Sequence, residues 1–254
     1  ALLREEICSR RAVALMFCRS FTVRCVLITL VSAVLMLAMA AGGADKAARY
    51  LIAGGALVPR AGAAPHVFTM MTAMILPSVC TFAFSDQLVE DCSRARLTAI
   101  RIGARMSWAR RACVGAALRG GFSALLGYGA GLGALLLVGG EEVSGFPGLL
   151  VAVALLVLQQ ALLAVVTNAA ALQLGAVEAS VAVLGAHFAT LCALAVSPVK
   201  WQAVLVPLAP SAQAVLAWHD ALGFLPVWSI VYLMLLLLVA CGLASRALAS
   251  RELL

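Results

Sequence analysis

The chain has 254 residues, of which 64% are hydrophobic and 11% charged, with a formal net charge of +7. One soluble core cannot hide that much apolar surface, whereas helices of about 20 residues, each crossing roughly 30 Å of hydrocarbon, can. The composition excludes a free-standing soluble enzyme, and its continuous Leu/Ala/Val runs exclude an outer-membrane barrel, whose strands alternate apolar and polar side chains.

Six apolar runs predict an all-α integral membrane protein with six transmembrane helices: Cys25 to Ala41, Val67 to Phe84, Gly121 to Val138, Leu149 to Val166, Val181 to Ser197 and Val227 to Ala244. The whole of 1–254 reads as one transmembrane domain: a basic lead-in over 1–24, a bundle over 25–247 and a charged loop over 85–117. In the lead-in, apolar positions alternate with Arg4, Arg10, Arg11 and Arg19 at near-helical spacing, which predicts a separate basic helix lying on the membrane interface. The first run ends Ala38-Met39-Ala40, an imitation of a secretory cleavage site. The preceding segment, with Glu5 and Glu6, is long and acidic for a leader, so the run is read as a span.

Gly42 to His66 is rich in small residues and reads as an external loop. The second run contains Pro77, which removes a backbone donor and predicts a kink. From Asp86 to Ala117, arginines and acids share the segment with Leu88, Leu97, Ile100, Ile102, Met106 and Trp108. That stretch is too charged to span and too apolar to be a tether. One or two short helices along the membrane surface, broken near Gly103, are expected.

In the third run, Gly127 with Gly131 and Gly129 with Gly133 form two interleaved GxxxG pairs, a spacing that lets helix backbones approach closely. They predict helix packing, inside the chain or across a dimer. A nucleotide-binding reading of these glycines fails because no strand precedes them. Glu141 and Glu142 fall in a short external turn, and Gln159 and Gln160 lie inside the fourth run, where buried amides bond to neighbouring helices or line a cavity. Asn168 to Ser180 is expected to be a short inner turn. Pro198 to Pro226 is too broken to span and predicts a re-entrant or interfacial pair of helices anchored by Trp201 and Trp218.

Fourteen of the eighteen lysines and arginines fall on one side of the alternating runs, so the positive-inside rule puts both termini in the cytoplasm of a multi-pass protein of the plasma or inner membrane. The eight cysteines lie in apolar runs or on that same side, away from an oxidising compartment. There is no CxxC or HExxH, and His66, His187 and His219 are far apart, so no metal site is expected. No GxxxxGK[ST] loop is present, which excludes ATP hydrolysis by the P-loop route in this chain.

Two features carry a family resemblance. One is the order of elements: basic lead-in, two spans, Arg-rich loop, three spans, broken external segment, last span. The other is Glu90 to Leu118, with Glu90-Asp91, Leu97-Thr98-Ala99-Ile100-Arg101-Ile102-Gly103, Arg105 and Trp108 to Arg111, together with the Ala-Ser-Arg-Glu-Leu-Leu ending from Ala249. In these the chain resembles the permease subunits of ABC-2 type (type V) ABC exporters.

The resemblance implies a cytoplasmic coupling helix between spans 2 and 3, and a substrate pathway built by two permease copies as a homodimer or heterodimer. It also implies a separate ABC ATPase subunit that carries ATP and Mg, with no cofactor and no catalytic residue in this chain. Glu90, Arg94, Arg96, Arg101, Arg105, Arg110 and Arg111 would form the ATPase-coupling loop, with membrane lipids as further partners and no nucleic acid. A type I importer would place a glycine six residues after its loop glutamate, whereas Glu178 is followed by Gly185 at seven. The different-class alternatives are an ion-coupled secondary transporter and a membrane scaffold with no ATPase. The first should bury acids or bases at mid-membrane, and no Asp, Glu, Lys or Arg lies deep in any of the six runs.

Overall fold

Hydrocarbon offers no partner to a peptide group, so an apolar chain must close its own hydrogen bonds, and a helix does this within one segment. The computed structural model describes residues 2–41, 43, 47, 48, 52, 54, 67–98, 105–139 and 146–250, and among these it is helical with no strand. The helices are α1 (Leu2–Ala40), α2 (Val67–Ala83), α3 (Gln87–Thr98), α4 (Arg105–Gly139) and α5 (Phe146–Leu174). They continue with α6 (Ala176–Val196), α7 (Val199–Leu205), α8 (Leu216–Leu222) and α9 (Pro226–Ser250). Six stretches are long and apolar enough to cross a membrane: Phe21–Ala40, Met70–Ser93, Arg105–Val138, Pro147–Leu174, Ala176–Val196 and Pro226–Ser250. Each contains or overlaps one of the six apolar runs.

Three boundaries differ from the sequence expectation, all because helices run further than their apolar cores. The basic lead-in is not a separate helix: α1 is a single element of 39 residues with neither glycine nor proline to stop it. Arg105 to Ala117 is likewise not a surface helix of its own but the start of α4, whose 35 residues extend about 50 Å at 1.5 Å per residue. The break expected near Gly103 lies outside the described residues. The expected inner turn over 168–180 shrinks to one residue, since α5 continues to Leu174 and α6 starts at Ala176. Gly175 makes this possible, with φ at 97° and Glu178 Oε2 only 2.5 Å from where a Cβ would sit.

α5 is the axis of the bundle. Of its most apolar stretch 61% is buried, against 17% for α9, which leaves most of α9 facing outward. Around it pack α4, α6 and α9, while α1 lies along α4. The α4–α5 approach is set by Gly120, whose Cβ would stand 2.3 Å from Ala164 Cβ and 3.1 Å from the Gln160 carbonyl. The interleaved glycines divide by face. A Cβ on Gly127 would meet Ile28 at 3.2 Å and Leu76 at 3.1 Å, and one on Gly131 would meet Met36 at 2.7 Å and Ser32 Oγ at 2.9 Å. Ser32 Oγ also donates to the Gly127 carbonyl. Gly129 and Gly133 have nothing within 4 Å of a built Cβ.

The segment between α6 and α9 forms a cap made of α7, α8 and two 3-10 turns, Val206–Leu208 and Pro210–Ala212. Its two tryptophans differ: Trp218 is buried at 1% exposure and Trp201 is 60% exposed. The division of the glycines makes a test. Gly131→Val should cost about 2 kcal/mol through overpacking, read as a lower melting temperature in detergent. Gly129→Val, which meets open space within the chain, should leave that temperature unchanged.

Candidate functional site

At the end of the bundle where α1 begins its apolar part, α2 turns at 84–86 into the short charged helix α3. Three neighbours hold that turn. Arg24 of α1 grips Asp86 with both nitrogens, Nη1 donating to Oδ1 at 2.8 Å and Nη2 to Oδ2 at 3.0 Å. The same Nη1 donates to the Ala83 carbonyl at 2.7 Å, and the guanidinium carbon lies 6.0 Å from the centre of the Phe84 ring. Arg24 also stands 3.9 Å from Glu90, one turn into α3. Arg119 of α4 approaches Asp91 at 4.0 Å.

The third neighbour is Asn168, fully buried on α5. Its Oδ1 accepts from the Leu88 amide at 3.0 Å, and its Nδ2 donates to the carbonyls of Phe84 at 2.8 Å and Ala164 at 2.9 Å. One amide from another helix thus does the work of an N-cap for α3, satisfying a first-turn donor that has no partner inside its own helix. Leu88 is fully buried, in a cluster with Ala109, Cys113, Ala116 and Leu248 from α4 and α9. α3 is therefore tied to α1 and α4 by charge, to α5 by an amide, and to α4 and α9 by packing.

The residues expected to form a coupling loop divide among these surroundings. Glu90 sits in the first turn of α3, with Arg24 Nη2 3.9 Å away. Arg94 and Arg96 are on α3, with side chains outside the described set, and Arg101 lies outside the described residues altogether. Arg105, Arg110 and Arg111 are exposed along the start of α4. Arg111 Nε bonds its own helix at the Ser107 carbonyl, 3.3 Å away, and Arg110 shares an open basic hollow of about 300 Å³ with Arg246 of α9. The charged start of α4 and the end of α9 therefore lie at the same end as α3.

Arg24, Asp86 and Asn168 were not among the expected site residues. A signal for the pair existed: Arg24 immediately precedes the first apolar run, and Asp86 closely follows the second. Successive antiparallel spans bring those two ends together. Nothing in the sequence marks Asn168 as a cap.

Deeper in the bundle is a polar belt. Gln160 Nε2 donates to Thr81 Oγ1 at 2.8 Å, joining α5 to α2. Beside it a small, partly open cavity of about 40 Å³ is bounded by Pro77, Tyr128, Gln159, Gln160 and His187. Two larger grooves open outward, one of about 500 Å³ between α2 and α6 and one of about 420 Å³ among α5, α6 and α9. At the far end, Gln213 organises the cap. Its Nε2 donates to the Val206 and Ala209 carbonyls at 2.9 and 3.2 Å, its Oε1 accepts from Ser229 Oγ at 2.5 Å, and its own carbonyl lies 3.2 Å from His219 Nε2. Burial pushes the His219 imidazole below its ordinary range, against the Gln213 and Phe224 backbone contacts and Asp220, which favour the charged form.

Among the described residues no group of three or more His, Cys, Asp or Glu is placed to hold a metal ion. No protein-family model, no curated protein and no solved structure matches the chain.

The clamp predicts graded effects. Asn168→Ala leaves the buried Leu88 amide without an acceptor and should cost about 2 kcal/mol, seen as tenfold or faster hydrogen exchange at Leu88. Arg24→Gln should cost only about 1 kcal/mol, because the Arg24 and Asp86 side chains are 29% and 36% exposed and water screens the pair.

Proposed function

We propose that this chain is the membrane-spanning permease subunit of an ABC-2 type ATP-driven exporter. It lies in the cell membrane with both termini cytoplasmic, and works as a dimer coupled to a separate ATPase subunit that binds ATP and Mg. The observation that carries the reading is α3. It is a 12-residue helix bearing acids and arginines, set between the second and third apolar runs, with its leading turn gripped by Arg24 of α1 through Asp86 and Arg119 of α4 standing 4.0 Å from Asp91. A helix that receives a push from a partner needs a stiff connection to the spans it must move.

The mechanism follows from those contacts. Closure of the ATPase subunits around ATP would press on the arginine-rich segment that carries Arg94, Arg96, Arg101, Arg105, Arg110 and Arg111. Displacement of α3 would then pull on α1 through Arg24 and on α4 through Arg119, while Asn168 keeps the turn from unravelling under load. This is a shear of packed helices around a fixed axis, with α5 as that axis. The apolar runs suit this role better than ion coupling: no Asp, Glu, Lys or Arg occurs in any of the six, although charged residues stand at the ends of several of the helices that carry them.

Purification of the tagged chain from its native cells in mild detergent should bring down an ATPase subunit in stoichiometric amount. Replacing Arg101, Arg105, Arg110 and Arg111 by alanine should leave membrane insertion intact yet lower transport-linked ATP hydrolysis. A chain recovered alone and without ATPase activity would favour the secondary-transporter or scaffold reading. Single-cysteine labelling should place position 105 in the cytoplasm and position 200 outside, and the reverse result would overturn the exporter assignment.

A further inference from the structure

Gln159 on α5 and His187 on α6 stand where two spaces adjoin. One is the partly open 40 Å³ cavity, the other the 420 Å³ groove among α5, α6 and α9, and Gln159, His187 and Ser211 line both. Gln159 is 5% exposed and His187 8%. The adjacent Gln160 is committed to Thr81, but Gln159 Oε1 has no hydrogen-bond partner among the described residues. A primary amide so far from water carries an uncompensated desolvation cost unless something supplies the missing bond.

The remaining wall of the groove is apolar, including Leu162, Val183, Leu236 and Val239, apart from Thr190, whose hydroxyl is bonded to the Ala186 carbonyl, and no Asp, Glu, Lys or Arg lines it. A charged ligand would find no counter-charge there. A pure hydrocarbon would leave the amide unmatched. The volume falls within the roughly 300–1,000 Å³ typical of sites for drug-sized molecules. Val239 and Val166 on the rim are 57% and 40% exposed, so the groove opens on the face that lipid would cover.

We propose that this groove binds an uncharged, largely apolar small molecule bearing a hydroxyl or an amide. Its polar group sits at Gln159 and His187 and its apolar body lies among α5, α6 and α9. A primary amide and a neutral imidazole each offer a donor and an acceptor, and a hydroxyl or amide on the ligand answers both. The molecule arrives from the bilayer, sideways, past Val239. This names the cargo class of the proposed permease and rests on that reading for transport, though not for binding.

The test uses the full chain in phosphatidylcholine nanodiscs with azi-octanol, an uncharged alkanol that cross-links on illumination, and maps adducts by peptide mass spectrometry. Adducts should concentrate on the groove-lining residues of α5, α6 and α9, and should be displaced by excess octanol but not by octylammonium. Gln159→Met keeps the side-chain length and removes the amide. It should lower groove labelling about fivefold, the affinity of one hydrogen bond. Labelling at Phe82 and Val181 in the α2–α6 groove should hold, which also reports that the variant is folded. Val239→Trp, at an exposed rim position, should block the groove without touching the core.

Adducts spread evenly over all outward-facing residues, equal displacement by octylammonium, or wild-type labelling in both variants would overturn the proposal. Groove labelling that depends on Gln159 in a chain with no ATPase partner would remove the permease reading and leave the site. An ATPase partner with labelling indifferent to Gln159 would remove the site alone.

Discussion

A peptide group without a partner in hydrocarbon costs several kilocalories per mole, so the difficult places in this protein are those where a helix stops. Three of them are closed by side-chain amides. Asn168 serves the α2–α3 turn, Gln202 donates to the Leu194 and Ser197 carbonyls at the end of α6, and Gln213 serves the cap at Val206 and Ala209. Each amide is buried. A carboxamide suits this work because it donates and accepts without bringing a charge into the membrane. The rest of the bundle, with its small-residue contacts and outward apolar faces, depends on these closures.

Charge is used differently. The clamp on α3 stands at the edge of the bundle, where about a third of each of the Arg24 and Asp86 side chains still reaches solvent. There an ion pair is spared the full cost of desolvation and can break and re-form. Amides that hold shape lie inside, and ion pairs that can move lie at the rim.

Much of this architecture was legible in the sequence. Six apolar runs marked six spans, because hydrophobic length has one main use in a bilayer. Gly127 and Gly131 were legible as small residues at packing spacing, but which face meets α1 and which meets nothing is a rotation that spacing alone does not set. Helix ends were the weak point. Apolar content falls at Val166 and at Gly121, whereas the backbone continues to Leu174 and begins at Arg105. Hydrophobicity reports where lipid is, while a helix ends where the backbone finds another partner, at Gly175 through a positive φ and after Ala83 through Arg24 and Asn168. The site was half legible: charge density pointed to the segment after the second span, yet Asn168 and Gln213 are ordinary polar residues until the fold shows which loose backbone they meet.

The Asn168 clamp also orders events in time. The Leu88 amide precedes its acceptor by 80 residues, whereas Arg24 precedes Asp86 by 62 and is already synthesised when that residue appears. At roughly 5–20 residues per second, the ribosome needs some 4 to 16 seconds to deliver Asn168 after Leu88 has been made. During that interval the α2–α3 turn has only its contacts with Arg24, and the Leu88 amide is without its acceptor. The first hairpin is therefore made before the residue that closes it, and its closure waits for the central helix.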